Sequence, residues 1–377
     1  MALKLILFCL LLKPAYASEP IKIGLTLGLT GKYAVMSDMQ MNGLRLWEDH
    51  VNNEGGILGR NVRLVIYDDK GDPRIAKTLY EHLILMDKVD LVLGPYSSEI
   101  TEAILPVTEQ YGYPVLTTGA SADRLWQKGY KYVFGVYAPA SKYTTGFLEL
   151  ITANNFNNIA IVHADDVVST NIAAGAKKWT ERFGLKVVLI EGFKKGTKDL
   201  RHIAKKTKDS KADALIVCGH LDESIDMRLS LKNIGWQPRV YYASVGPATQ
   251  DFHDRLGMDA DYTFSSSQWE PHTKLPNSKK FTNSFIEKYK KMPSYHAATA
   301  YAAGQILETA LKRSGNLDRN RLRDILSAMD TMTIIGRYGV DRTGMQIKHF
   351  NLIIQWQNGK KEVVWPEELR TAKPVFK

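Results

Sequence analysis

The chain has 377 residues, 44% hydrophobic and 24% charged, with 50 Lys and Arg against 40 Asp and Glu for a net charge of +10. That composition excludes a disordered, collagen-like or disulfide-scaffold protein. The length exceeds one comfortable core, so two lobes or domains are expected.

Met1–Ala17 reads as a removable leader. Lys4 opens it, Leu5–Leu12 is its apolar stretch, and Ala15-Tyr16-Ala17 is a small-x-small cleavage site before Ser18. The apolar stretch is far too short to span a bilayer, and no later segment approaches roughly 20 apolar residues. Leu7 and Phe8 stand where a lipid-anchored Cys9 would need small neighbours, so an exported, unanchored chain is expected. Loss of Cys9 leaves Cys218 as the lone thiol, at the end of the apolar run Ala214–Val217, where it reads as a buried small side chain.

Short apolar runs then alternate with amphipathic stretches. Ile21–Leu29, Val62–Tyr67, Val89–Leu93 and Pro114–Thr117 have the length and Ile/Val/Leu content of buried strands. Between them, Asp72-Pro73 opens a helix whose Ile75, Leu79 and Leu83 predict its buried face. A second series follows, with strands at Ile159–His163, Leu185–Ile190, Ala214–Cys218, Val240–Ala243 and Tyr262–Ser265 and helices near 168–183, 198–210, 221–234 and 248–256. Two βα series of about 120 residues each predict an α/β protein with two doubly wound sheets. After Trp269 the pattern changes to helices near 276–291, 295–313 and 318–329, then strand-like Thr333–Tyr338 and His349–Trp356. This tail is expected to return and complete both sheets.

The basic residues between Lys194 and Lys211 surround an apolar stripe of Leu200, Ile203 and Ala204, without interleaved aromatics. They read as the wet face of a helix rather than a nucleic-acid surface. Gly24, Gly28 and Gly31 miss dinucleotide-loop spacing, and Gly31-Lys32 lacks the remainder of a P-loop. The nine histidines show no metal-ligand spacing; His220, Asp222 and Glu223 read as helix capping. No nucleophile–base set emerges, so neither an enzyme, a metal nor a cofactor is expected.

Open α/β sheets bind ligands beyond the carboxyl ends of their strands. Two loops there are suited to an anion: Gly94-Pro95-Tyr96-Ser97-Ser98-Glu99 and Thr117-Thr118-Gly119-Ala120-Ser121. Each combines hydroxyls with backbone N–H groups at a helix start, which hold a carboxylate without a cation. Ser98 and Ser121 are also plausible N-caps.

Several motifs resemble those of periplasmic branched-chain amino-acid binding proteins. They are Asn52-Asn53-Glu54-Gly55-Gly56-Ile57-Leu58-Gly59-Arg60, Asp68-Asp69-Lys70-Gly71-Asp72-Pro73, Leu29-Thr30-Gly31, Leu93-Gly94-Pro95 with Ser98, Gly119-Ala120-Ser121 and Tyr301-Ala302-Ala303. The resemblance spans the mature chain and implies a type I solute-binding fold: two lobes joined by three crossovers near 138, 267 and 350. One lobe would comprise 18–138 and 267–350, the other 139–266 and 351–377. It further implies a monomer in the periplasm, serving an ABC permease of the inner membrane and carrying a small carboxylate or amino acid. In that family a Ser and a Ser/Thr in the two loops hold the ligand's carboxylate, matching Ser98 (beside Ser97) and Ser121, with the Gly119 carbonyl accepting from an ammonium. Elsewhere the family pattern is not met. Ser244 stands where the ammonium-binding acid is expected, Leu221 and Met36 where tyrosines are, and His296 where a phenylalanine is. The expected ligand is therefore an aromatic or branched aliphatic acid without an α-ammonium, walled by Tyr96 and Trp126 unless Asp123 or Glu99 turns inward. The alternatives are an amino-acid or amide binder of the same fold, or a sensor domain for a signalling partner.

Overall fold

The structure, a computed structural model, describes residues 19–376; the expected leader lies outside them. The first series runs β1 (Ile21–Leu27), α1 (Ala34–Asn53), β2 (Val62–Asp68), α2 (Pro73–Leu85), β3 (Leu91–Leu93), α3 (Ser98–Gln110), β4 (Val115–Thr117) and β5 (Val133–Gly135). The second runs α4 (Thr145–Thr152), β6 (Asn158–Ala164), α5 (Val167–Arg182), β7 (Lys186–Phe193), α6 (Arg201–Asp209), β8 (Ala214–Cys218), α7 (Leu221–Asn233), β9 (Val240–Ala243), α8 (Gln250–Leu256) and β10 (Thr263–Ser267). The tail adds α9 (Ser278–Tyr289), α10 (Tyr295–Ser314), α11 (Arg319–Ala328), β11 (Thr331–Thr333), β12 (Gly336–Tyr338), β13 (Leu352–Gln357) and β14 (Lys360–Trp365).

The first sheet has the order β2-β1-β3-β4-β5, all parallel. In the second sheet β7-β6-β8-β9-β10 repeat that order, and antiparallel β13 and β14 extend it. Each is the doubly wound arrangement, with central strands buried on both faces and reading as continuous apolar runs, and with edge strands β2 and β7 partly exposed. One apolar cluster joins Ile21–Tyr137 to Trp269–Tyr338, while three others lie between Ala140 and Phe376. The chain therefore passes between two lobes three times. At the crossovers the Gln268 side chain accepts from Ala138 N–H (3.0 Å), tying two of the three connections together.

The α1–α10 contact fastens the tail to the first lobe and rests on two glycines. A Cβ on Gly304 would lie 2.2 Å from the Trp47 ring, and one on Gly43 would lie 2.1 Å from the Ala297 carbonyl oxygen. No side chain fits at either place, so the backbones meet directly at Gly43 and the Trp47 ring lies flush on α10 at Gly304.

Three expectations are corrected. The tail completes only the second sheet: β11 and β12 pair with each other alone, and β5 meets the tail through a single Gly135 N–H to Gly344 carbonyl bond of 2.8 Å. Asp341 curls the chain there by accepting from Thr343 and Met345 N–H, so no strand runs along β5. The buried face of α2 is Ala76, Tyr80, Leu83 and Ile84, leaving Ile75 exposed. Tyr80 rotates the helix, because its buried hydroxyl donates to the Leu93 carbonyl. Finally, Lys195 leaves the wet face of its basic cluster, since it lies in the loop before α6 and reaches into the cleft. The helix itself behaves as its stripe predicts, burying Ile203 and Ala204 and exposing Lys205, Lys206 and Lys208. Cys218 is fully buried, and burial pushes its thiol pKa up. No helix among the described residues is long and apolar enough to cross a membrane.

Candidate functional site

The carboxyl ends of the two sheets face one another across a cleft. From the first lobe come the loops after β3 and β4. Ser97 caps α3, its hydroxyl oxygen accepting from Ile100 N–H (3.3 Å), and holds φ +81, ψ +147, a conformation that favours glycine. Its own N–H donates to the Gly119 carbonyl (3.1 Å), tying the two loops together. Ser98 is not a cap. Its hydroxyl oxygen accepts from Ser121 N–H and Ala122 N–H, each at 3.1 Å. Nor does Ser121 cap a helix; its oxygen accepts from the Tyr143 hydroxyl at 2.9 Å. Burial pushes the Tyr143 pKa up to about 12, so the phenol stays a donor. Gln40 donates to the Thr118 carbonyl (2.6 Å) and braces the second loop from α1. Gly119 is required: a Cβ there would lie 2.6 Å from Gln40 Nε2 and 2.8 Å from Tyr96 Cδ2.

The second lobe presents charge. Asp166, after β6, caps α5 by accepting from Val168 and Ser169 N–H, each at 3.2 Å, and pairs with Lys195 at 3.4 Å. Its Oδ1 lies 3.6 Å from His220 Nε2. Burial disfavours the Asp166 charge, but His220, Lys195 and Ser169 outweigh it and hold the carboxyl well below the usual range. His220 precedes α7, where Glu223 accepts from its backbone N–H (3.1 Å), and neither ring nitrogen makes a hydrogen bond among the described residues. Across the cleft, Lys195 donates to the Tyr33 hydroxyl (3.3 Å), and Asp123 N–H donates to Asn171 Oδ1 (2.7 Å).

Between these groups lies a cavity of ≈ 20 Å³, room for about one water molecule, so a solute enters only as the lobes part. Its lining brings together Ser97, Ser98, Gly119 and Ser121 with Tyr96, Tyr137, Tyr143, Tyr295, Val168, His220 and Val245. The other residues singled out from the sequence lie elsewhere. Ala120 sits behind the loop, its carbonyl accepting from Thr117. Leu221 packs with Ile225 and Phe252 in the second lobe. The Ser244 hydroxyl is spent between β8 and β9, donating to Gly219 O (3.0 Å) and accepting from Gly219 N–H (3.1 Å). Met36 and His296 line a separate, larger cavity; His296 touches the central one through Tyr96, whose hydroxyl is 3.5 Å from its Nε2, and through Tyr295, on which its ring stacks. Trp126 is buried beneath Gly135, away from the cavity. Asp123 turns to Ser141 N–H (3.1 Å) and Glu99 to Lys32 (3.4 Å).

Sequence reasoning read His220 as helix capping rather than as part of the cavity and passed over Val245, one residue beyond Ser244; they follow β8 and β9. It also missed Tyr137, Tyr143 and Tyr295, which lie near crossovers or at a helix start and carry no periodic signal. Among the described residues no group of three His, Cys, Asp or Glu is placed to hold a metal ion.

A family model described as periplasmic binding protein matches residues 20–361. The Leu/Ile/Val-binding protein homolog 7 of Brucella suis is 25% identical over 378 residues, covering 95% of this chain and 94% of that relative. Among solved structures, the branched-chain amino acid transporter substrate binding protein LivJ from Streptococcus pneumoniae, in complex with isoleucine, superposes with a TM-score of 0.82 at 22% identity, over 95% of this chain and 100% of that one. A solute binding protein of an ABC transporter from R. palustris, in complex with benzoate, does so with a TM-score of 0.81 at 19% identity, over 94% and 97%.

Proposed function

The chain belongs to the branched-chain amino-acid periplasmic binding protein family, and from that premise we propose that it captures a small organic carboxylate without an α-ammonium. The family consists of solute-binding proteins rather than enzymes, acting as the substrate-binding components of ABC transporters. On our reading this one works as a periplasmic monomer and hands its solute to an inner-membrane permease.

The observation that carries the proposal is the contrast within the cavity lining. Ser97, Ser98 and Ser121 gather hydroxyls at the N-terminal end of α3, while no carboxylate side chain lines the space among the described residues. Backbone N–H groups and the helix dipole stabilise an anion there. A buried ammonium without an acid or full set of acceptors costs several kcal/mol, and the residue lining the cavity after β9 is Val245. Tyr96, Tyr137 and Tyr295 supply flat walls for an aromatic or branched body. The benzoate complex of the R. palustris protein is in keeping with such a ligand.

An amino acid is the second reading, favoured by the buried, charged Asp166 beside the cavity-lining His220. Calorimetry with leucine, phenylalanine and their deaminated acids, 4-methylpentanoate and 3-phenylpropanoate, separates the two. The proposal expects the acids to bind tighter. Tighter binding of the amino acids would replace it with the second reading.

A further inference from the structure

Behind the wall formed by Tyr96 and His296 lies a second interlobe cavity of ≈ 320 Å³, within the size range of small-molecule sites, about 300–1,000 Å³. The first lobe contributes Met36 and Met39 from α1 and Pro293 and Ser294 before α10; the second contributes Ala248 and the β13–β14 turn. Glu270, on the crossover after β10, reaches this chamber.

Glu270 is the unusual feature. Its residue is 4% exposed, one carboxylate oxygen lies 3.1 Å from Lys361 Nζ, and the other, Oε1, makes no hydrogen bond among the described residues. Lys361 is itself fixed, donating to the Ala248 carbonyl at 2.7 Å. The nearby Ser267 hydroxyl is spent on the Trp269 carbonyl at 2.8 Å. Burial disfavours the Glu270 charge, with Lys361 opposing. A buried acceptor left unpaired is costly, so such an oxygen on a residue that lines a cavity calls for a donor. Lys361 balances Glu270 itself, so a cation placed at Oε1 would face the lysine and gain little there, while Asp251, Glu362 and Lys360 line other parts of the chamber. His296, on the opposite wall, is neutral, because burial pushes its pKa down to about 3. The methionines offer an adaptable apolar surface.

We propose that this chamber is a second solute site, taking a small uncharged molecule that carries a primary amide or hydroxyl on a branched or aromatic body and donates it to Glu270 Oε1. The site is separate from the serine seat and does not depend on which solute that seat holds.

Saturation-transfer NMR on the full mature chain tests this with isovaleramide and isoamyl alcohol as probes. Methyl isobutyl ketone serves as the donor-free control and isoamylamine as the charged one. Signals for the amide and the alcohol, at least tenfold weaker for the ketone and amine, are expected. Met39→Trp, which fills the chamber, is expected to abolish them. The paired Glu270→Leu/Lys361→Met variant removes both charges together and is expected to erase the preference of amide over ketone. Ser98→Ala, which breaks the carboxylate seat, should leave amide binding within twofold, so the two readings fail separately. Equal signals for the ketone, signals that survive Met39→Trp, or no signal from any probe (an oxygen satisfied by solvent alone) would each overturn the proposal.

Discussion

The two lobes are built on one strand order yet meet the cleft with opposite chemistry. The first lobe offers Ser97, Ser98, Ser121 and the start of α3, all uncharged; the second offers Asp166, Lys195 and His220. In both, the groups sit in loops at the carboxyl ends of parallel strands, where the fold leaves sequence free to vary. The charges of the second lobe are already matched to one another: Asp166 caps α5 and pairs with Lys195, which also reaches Tyr33. The hydroxyls of the first lobe are instead gathered around the start of α3, where they line the cavity. On our proposal similar frames divide the labour, with one lobe seating the solute and the other tying its own loops together and reaching Tyr33 across the cleft.

Four experiments break or sharpen that division. The largest expected effect is Asp166→Ala, which leaves the half-buried Lys195 without its ion-pair partner and removes the α5 cap. The lost cap costs about 1 kcal/mol and the broken, partly buried pair adds less than the roughly 3–5 kcal/mol of a fully buried one, to be read by urea denaturation; a loss under about 1 kcal/mol would show the cluster to be dispensable. Next comes acid sensitivity, where the lobes differ in window. Burial lowers the folded pKa of His296 to about 3, so below about pH 6.5 the unfolded chain binds a proton that the folded chain refuses. Stability therefore falls with pH from about 6.5 toward 3, by up to ~1.4 kcal/mol per pH unit for this one group. His296→Gln should reduce that slope, leaving the share of His349, whose pKa burial likewise pushes down, to about 4. Asp166, whose folded pKa is depressed, adds its loss only below about pH 4, as it takes up a proton in the unfolded chain first. An unchanged slope in His296→Gln between pH 6 and 4 would contradict the first assignment.

Smaller effects belong to the serine loops. Ser98→Ala leaves the Ser121 and Ala122 N–H groups without their acceptor, costing about 1–3 kcal/mol of stability and weakening carboxylate binding tenfold to a hundredfold. Intact affinity in the folded mutant would make Ser98 purely structural. The smallest is Ser97→Gly. It relieves a positive φ, for about 1 kcal/mol, and a glycine cap is only a few tenths worse than serine. Ser97→Ala, by contrast, loses the cap and keeps the strain, so the two variants should move the melting temperature in opposite directions.

Much of this was legible in the residues. β8 and β9 fall where their apolar runs end, because a parallel strand buried on both faces needs an unbroken run. Ser98 and Ser121 follow from strand ends leading into helices. β5 escaped because three residues carry no period, and the α2 face was misjudged because the Tyr80 hydroxyl turns the helix. Lys195 was hidden by its neighbours: six further lysines and an arginine around it do face water, and only the tertiary pairing with Asp166 and Tyr33 draws this one inward. The cavity tyrosines are tertiary facts, supplied by segments far apart in the chain that the lobes bring together.

The central claim is that the first lobe's hydroxyls, and not the second lobe's cation, hold the solute's carboxylate. Titration calorimetry of 4-methylpentanoate against Ser121→Ala and Lys195→Met, each checked for folding, tests it most directly. The account predicts a tenfold to hundredfold loss of affinity for Ser121→Ala, from one charge-assisted hydrogen bond of about 1.5–3 kcal/mol, and less than threefold for Lys195→Met. A larger loss for Lys195→Met than for Ser121→Ala would contradict it.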